Sequence, residues 1–427
     1  MKPVYQITEY GSFITGREVD GYITLPPHTF EQLENFVLSN RNNDTDAVEL
    51  MALSVRRDIG RVITAKNYVG ILVLNDGTTI EILPKVISTV EDDSSRTKAK
   101  RLLIEMLKTL RDSPYKNLQM ASLSVEKMNI FEIFVRMFID EVFQIVKRGL
   151  KRNYEAVEEN TNFFKGKMKF SQHIKLNHVH RERSFVEYDV FSLNRPENRL
   201  LKSTLLHLHK HSRSSRNRTD IKTLLNSFAD VESSTDYKAD FARYIPDRNM
   251  KDYSIALLWS RVFLMGKSFT SFAGSEVALA LLFPMETLFE SYVAARLKQH
   301  LAPLGYSVSN QDRSYHLFDN PRRFAMRPDI VIRRKADDAV FVMDTKWKLL
   351  AENKSNYGIS QADMYQMYAY QKKYGAKTVT LLYPQTNQIN ADTSIEYRSD
   401  DGVTVCVRLV DLFDLRKFLD QIQNDIG

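Results

Sequence analysis

Two short apolar runs on either side of residue 335 constrain this chain more than any other feature. Arg327-Pro328-Asp329-Ile330-Val331-Ile332 is separated from Val340-Phe341-Val342-Met343-Asp344-Thr345-Lys346 by the polar turn Lys335-Ala336-Asp337-Asp338. β-Branched and apolar residues dominate 329–334 and 339–346, so the pattern predicts a β-hairpin. Folding about the middle of the turn sets Asp329 opposite Asp344, where cross-strand Cβ atoms lie about 4.5–5.5 Å apart. Asp344 and Lys346 are two residues apart and share a strand face. The flanking residues are apolar on both faces, which implies strands covered on both sides. Facing carboxylates at the end of buried strands are costly unless something neutralises them. A divalent cation does so. Mg²⁺ is typically held by one or two carboxylates with substrate phosphates, and the adjacent lysine suits a phosphate oxygen. The plain alternative is a surface hairpin with solvated or paired Asp and Lys, because an isolated Asp…Asp-x-Lys has many chance matches.

The neighbours of the hairpin favour a site. A helix is predicted over 284–297, where Pro284 suits the start and Leu288, Tyr292 and Ala295 or Arg296 follow helical spacing. It carries Glu290. A second helix is predicted over 362–371, with Gln366 and Tyr370 four apart on one face. The apolar run Thr378–Pro384 reads as a strand stopped by its proline. Helix, hairpin, helix, strand is an α/β layout with a mixed central sheet.

The order Glu290, Pro328-Asp329, Asp344-Thr345-Lys346, then Gln366 and Tyr370 resembles the PD-(D/E)xK nuclease superfamily, in its variant with a downstream Gln-x-x-x-Tyr. More narrowly, the chain resembles the McrC family, the nuclease subunits of McrBC modification-dependent restriction systems. Phe164-Lys165-Gly166-Lys167, the run from Phe191 to Lys202 and Leu381-Leu382-Tyr383-Pro384 carry that likeness over about 160–420. Before that it is weaker, resting on Ile80-Glu81-Ile82-Leu83-Pro84-Lys85. The resemblance implies a Mg²⁺-dependent DNA endonuclease, with Mn²⁺ able to substitute. Asp329 and Asp344 would ligate the metal and Glu290 would reach it from its helix. Lys346 would orient or deprotonate the attacking water, or stabilise charge on the phosphorane. Gln366 and Tyr370 would place the lysine or the DNA backbone. It also implies double-stranded DNA as substrate and a separate McrB-like AAA+ GTPase, a hexameric ring that translocates DNA and carries the methylcytosine reader. The amino-terminal β region would dock in the ring and stimulate its GTPase.

Three regions are expected in an α+β multidomain chain. Residues 1–90 read as β-rich, with Val69–Leu74 and Thr79–Leu83 flanking the hairpin turn Asn75-Asp76-Gly77. Within them Thr29–Leu38 reads as a short helix, with Thr29 and Gln32 at capping-box spacing, and Asn40–Asp44 as a surface loop. Residues 91–265 read as mainly helical. Lys98–Leu110 is amphipathic, and Ile130–Arg148 ends basic before Gly149. Asn194-x-x-Glu197 with Pro196 has the spacing of a helix cap, a structural rather than a binding role. Residues 270–427 form the restriction-endonuclease-like domain, closing with a helix over 412–422.

At 427 residues the chain is long enough for two or three cores, and its net charge of +7 modestly favours an anionic partner. The single Cys406, in the apolar run Val403–Val407, excludes an intrachain disulfide and fits a reducing, cytoplasmic setting as a small core residue. No signal region or membrane span is expected. Gly266-Lys267-Ser268 resembles the end of a P-loop, but position 261 is Arg261 where the fold needs glycine, so no nucleotide hydrolysis is expected here. His207 and His211 lack a third zinc ligand. Residues 207–218 read as a solvated basic loop after the Leu200–Leu208 helix, with phosphate contact second. His173, His178 and His180 also lack metal spacing. Tyr365, Tyr368, Tyr370 and Tyr374 read as core and helix surface. Two competing functions remain: an idle adaptor of an AAA+ ring, and a stand-alone repair nuclease. The intact acidic pair argues against the first. The large region before residue 265 argues against the second.

Overall fold

The computed structural model describes residues 3–41, 50–85, 93–110, 129–244, 248–265, 277–386, 388–389, 393 and 395–427. Residues 42–44 of the expected surface loop and Gly266-Lys267-Ser268 lie outside them. The chain divides into two compact units, Met1–Ile130 with Ser268–Gly427, and Phe131–Lys267.

The first unit opens with strands β1 (Val4–Thr8), β2 (Ser12–Thr15) and β3 (Tyr22–Leu25), then helix α1 (Pro27–Arg41). Strands β4 (Met51–Arg56), β5 (Gly60–Ala65), β6 (Tyr68–Leu74) and β7 (Thr79–Leu83) follow, then helix α2 (Asp93–Thr109). One sheet has the order β3-β2-β5-β4. β6 and β7 pair antiparallel across Asn75-Asp76-Gly77, and Gly77 takes the φ of 81° that such a turn needs. The turn does not stand clear of the fold. Asp76 and Gly77 are half-buried, and the Asp76 carboxylate accepts from the Thr78 N–H at 2.7 Å and the Thr29 hydroxyl at 3.3 Å. The expected cap at Thr29 is therefore corrected: α1 begins at Pro27, and the Thr29 hydroxyl serves the hairpin turn instead. Asn40 and Arg41, expected in a loop, end the same helix.

The second unit takes in α3 (Ile130–Arg148) from its second residue, then strands β8 (Asn153–Thr161) and β9 (Lys167–Met168), helix α4 (Phe170–Leu176) and strand β10 (Ser184–Ser192). Helices α5 (Pro196–His211), α6 (Ser215–Ser227), α7 (Tyr237–Arg243) and α8 (Ser254–Met265) complete it. The strands form an antiparallel sheet, β8-β10-β9, beside the expected helices. Phe134 packs on Trp259 at 5.6 Å and Trp259 stacks on Phe263 at 5.4 Å, joining α3 to α8. Two local expectations change. The N-cap of α5 is Arg195, with no side-chain cap bond; Asn194 accepts from the Glu232 N–H at 2.9 Å and Glu197 pairs with Arg195 at 2.7 Å. Residues 207–218 are mostly helix rather than loop. A buried Glu132 is the reason: it accepts from the Ser212 hydroxyl at 2.7 Å, the Arg213 N–H at 2.6 Å and the Asn217 amide at 2.8 Å, which fixes the short link between α5 and α6.

The first unit resumes with β11 (Val277–Pro284) and α9 (Met285–Leu301), then β12 (Tyr306–Asn310), β13 (His316–Asp319), β14 (Arg322–Ala325), β15 (Ile330–Arg334) and β16 (Val340–Thr345). Helix α10 (Gln361–Tyr374), strands β17 (Thr378–Pro384), β18 (Ile395–Arg398) and β19 (Thr404–Val410), and helix α11 (Leu415–Ile426) close it. β11 pairs antiparallel with β6 and completes the sheet β1-β7-β6-β11. Gly70 permits this contact, since a Cβ there would run into the Leu281 carbonyl. The six-stranded sheet β12-β15-β16-β17-β19-β18 is mixed, as the pattern implies: β15 and β16 are antiparallel, β16, β17 and β19 parallel. The closing helix starts at Leu415, three residues later than expected, because Asp414 caps it by accepting from the Arg416 N–H. Cys406 is buried in β19. Among the described residues no helix is long and apolar enough to cross a membrane.

Candidate active site

The site lies where β15 and β16 meet. Ile330 pairs with Met343, so Asp329 and Asp344 stand at the next step of the ladder, the register expected from the turn. All six residues of β16 are buried, and β17 covers its other edge in parallel. Thr378–Pro384 forms that strand because its apolar run is too short for a helix and proline ends it.

Asp344 is buried, and its carboxylate lies 2.6 Å from the Lys346 ammonium. Burial, and then the neighbouring Asp329, push the Asp344 carboxyl up to about 6, against the pull of Lys346. Asp329 is raised too, first by burial. One Asp329 oxygen accepts from the Thr345 N–H at 2.7 Å and the Thr345 hydroxyl at 2.6 Å. Burial works against the charged Lys346, but Asp344, Asp363 and Asp329 together outweigh it and raise the lysine above its ordinary value. The ammonium also donates to the Gln366 carbonyl at 3.2 Å and lies 3.7 Å from Asp363. The Gln366 amide donates to the Tyr370 hydroxyl at 2.7 Å, one helical turn on. Burial and Asp344 keep the Tyr370 phenol protonated, and a backbone hydrogen bond ties it to Arg327.

Helix α10 delivers Gln366 and Tyr370 because Ser360 caps its start, accepting from the Asp363 N–H, and Gly375 ends it at φ 59°. Met367, Tyr370 and Tyr374 are its buried face, while Tyr365 and Tyr368 are exposed, in line with the core-and-surface reading.

Direct contacts therefore bring Asp344, Lys346, Gln366 and Tyr370 together, with Asp329 beside Asp344. Glu290, on α9, is one residue further back. It accepts from the Gln311 side chain at 3.4 Å, and the Gln311 N–H donates to the Asp329 carbonyl at 2.9 Å. Among the described residues no three His, Cys, Asp or Glu side chains converge as a metal set. Three residues of the cluster escape sequence reasoning. Thr345 sits between the two key positions of Asp-x-Lys and points to Asp329 only because Asp329 lies beyond the end of β15. Asp363 looks like an ordinary first-turn acid. Tyr383, wholly buried, lies among Asp363 and Asp344, and burial with those carboxylates holds its phenol protonated.

The architecture is of a type seen in restriction assemblies. It is similar to a chain of the refined half-complex from the tetradecameric assembly of Thermococcus gammatolerans McrB AAA+ hexamers with bound McrC, at 18% identity and a TM-score of 0.68, covering 99% of this chain and 100% of that one. It is also similar to a chain of the cryo-EM Thermococcus gammatolerans McrBC complex, at 17% identity and a TM-score of 0.50, covering 70% of this chain and 88% of that one. At these identities the likeness is one of fold. Comparison with curated proteins gives no match. A family model for the McrBC 5-methylcytosine restriction system component matches residues 63–384. The chain belongs to that family.

Proposed function

We propose that this chain is the endonuclease subunit of an McrBC-type system, cutting double-stranded DNA at a PD-(D/E)xK site with Mg²⁺. The observation that carries this is the acidic pair Asp329 and Asp344 at the end of buried strands, with Lys346 2.6 Å from Asp344. The donor set fits a hard cation. Two oxygen-donor carboxylates with raised proton affinity share a poorly solvated place, and Mg²⁺ needs no more than two when substrate phosphates supply the rest. Asp329 and Asp344 would hold the ion, and Mn²⁺ would suit the same donors. When bound, such an ion polarises a phosphoryl oxygen and makes water a stronger acid.

The chain's own residues do the remaining work. Lys346, kept protonated by Asp344, is a donor to the phosphate oxygens on which charge develops. Gln366 fixes the lysine and is itself fixed by Tyr370. Thr345 orients the Asp329 carboxylate with two hydrogen bonds. Glu290, through Gln311, steadies the Asp329 backbone and stands behind the acidic pair.

Membership of the family supports an McrB-like AAA+ GTPase ring as partner and methylcytosine-containing foreign DNA as target. In this reading the chain works in the cytoplasm and stimulates the partner's GTPase. Its amino-terminal region docks on the ring, and residues from about 270 onward cut. Purified protein assayed with Mg²⁺ and DNA, with and without that partner, tests the reading. Cutting that needs the partner is the expected result. Cutting by the chain alone would favour a stand-alone nuclease, and stimulation without cutting an idle adaptor.

A further inference from the structure

The hairpin β13–β14 is not part of the six-stranded sheet. Among the described residues β13 and β14 pair only with each other, and all of their residues are exposed apart from a half-buried His316. Their apolar side chains face solvent: Phe318 is 56% exposed and Phe324 72%, the two rings packed edge to face at 5.9 Å. Phe324 holds a φ of 59°, a left-handed conformation that a residue with a bulky side chain rarely adopts and that tends to collect at functional positions. The strands carry the exposed arginines Arg322 and Arg323, and exposed Arg313 and Arg327 precede and follow them in sequence, against a single carboxylate on the strands, Asp319.

The hairpin is tied to the site at its base. The Met326 N–H donates to the Tyr315 carbonyl at 2.9 Å, Tyr315 packs on Tyr374 at 4.5 Å, and the Tyr374 hydroxyl donates to Asp312 at 3.0 Å. Asp319 pairs with Lys373 at 2.7 Å. Tyr374 and Lys373 belong to α10, the helix that carries Gln366 and Tyr370. Ala325 is four residues before Asp329, a span of at most about 14 Å of extended chain. One DNA strand advances about 3.4 Å per nucleotide, so that span covers about four nucleotides.

We propose that β13–β14 grips duplex DNA beside the phosphate that is cut. Arg322 and Arg323 neutralise backbone phosphates, and Phe318 and Phe324 lie against sugars and base edges in a groove. This rests on the nuclease reading for its position but makes a separate claim about binding. Basic side chains positioned on phosphates, with apolar side chains packed into the duplex, are a known way to hold DNA without reading its sequence. The charge on the hairpin matches that partner: Arg322 and Arg323 stand on strands with one carboxylate, Asp319, which is paired with Lys373.

The test uses the full chain, a short fluorescein-labelled duplex of random sequence, and fluorescence anisotropy without divalent metal across a series of salt concentrations. Arg322→Ala with Arg323→Ala should weaken binding about tenfold and flatten the slope of log affinity against log salt by about two. Phe318→Ser with Phe324→Ser should weaken binding and leave that slope unchanged, because no phosphate contact is lost. Circular dichroism checks that both variants fold. Parental affinity and slope in both double variants would overturn the proposal. So would unchanged DNA binding with loss of self-association in sedimentation, which would make the hairpin a contact between copies of this chain. Binding is read without metal, so the two claims fail differently. A wrong nuclease assignment leaves the parent chain without cutting, or cutting unchanged by Asp344→Ala, whereas a wrong hairpin assignment leaves the arginine variants binding DNA as the parent does.

Discussion

The Trp347 indole N–H donates to both carboxylate oxygens of Glu9, at 3.1 and 2.9 Å, across 338 positions of sequence. Trp347 directly follows Lys346, and its ring packs on Phe289 of α9 at 5.3 Å. Glu9 is fully buried just beyond β1 and also accepts from the Lys85 N–H at 2.9 Å. The amino-terminal β region is thereby bonded to the residue after the lysine of the site. Burial, assisted by Glu286, pushes the Glu9 carboxyl from 4.5 up to about 7, despite the two hydrogen bonds that favour its charge.

Glu9 should make stability depend on pH in the direction opposite to a paired carboxylate. Its folded value lies above its unfolded one, so between about 4.5 and 7 the folded chain binds the extra proton. The stabilisation is fully present below the lower value and is lost as pH rises through the upper one, with a slope approaching about 1.4 kcal/mol per pH unit in the window. Glu9→Gln should flatten that slope. Urea melts of both proteins at pH 5 and pH 8 check it, and parallel pH dependence in the two would sink the idea.

Asp329→Ala and Asp344→Ala should each lower cleavage by about a thousandfold or more, several kcal/mol of transition-state stabilisation, while the chain stays folded. Each removes repulsion as well as a ligand, so neither should unfold the sheet. Lys346→Ala should act on rate in the same way. Supercoiled DNA with the full complex is the assay, and normal cutting by Asp344→Ala protein would end the nuclease assignment.

Mg²⁺ should raise thermal stability at neutral pH. A ligand present at a hundredfold excess over its dissociation constant contributes about 2.7 kcal/mol to the folded state. The gain should vanish in an Asp329→Asn, Asp344→Asn double variant. An equal rise in that variant places the ion elsewhere.

Cutting and motor stimulation should separate. Asp344→Ala protein should still bind the McrB-like partner and stimulate its nucleotide hydrolysis. Loss of stimulation in a correctly folded Asp344→Ala protein, measured by phosphate release, contradicts the division of labour.

Asp76→Ala should cost about 1 kcal/mol of stability, because the carboxylate joins the β6–β7 turn to Thr29 of α1. Since this turn is packed and not projecting, the effect should appear in denaturation midpoints before it appears in partner stimulation. The reverse order would make the turn a docking element.

The central hairpin is legible in the sequence because two apolar runs and one polar turn fix its register, and the strand Thr378–Pro384 matches to the residue. Helix α3 is equally legible, from Ile130 to Arg148, since its apolar stripe is long and Gly149 stops it. Contacts set by distant segments leave no local pattern. Glu9 is a lone acid in a short strand region, and nothing near it announces Trp347. Asp363 and Thr345 look like a helix start and a spacer until the sheet places them. Residues 207–218 look solvated because their basic composition hides the buried Glu132 that orders them.

The pairing of β11 with β6 also sets a schedule for synthesis. β6 has β7 on one edge, and its other edge stays bare until Val277–Pro284 has been made. That is roughly 200 residues later, about 10–40 s at ordinary elongation rates. Throughout that interval a nascent chain carries an apolar strand with open hydrogen-bonding groups, the kind of edge that recruits a wrong neighbour. A gene split near residue 270 would make that state permanent in one product and strand β11 in the other.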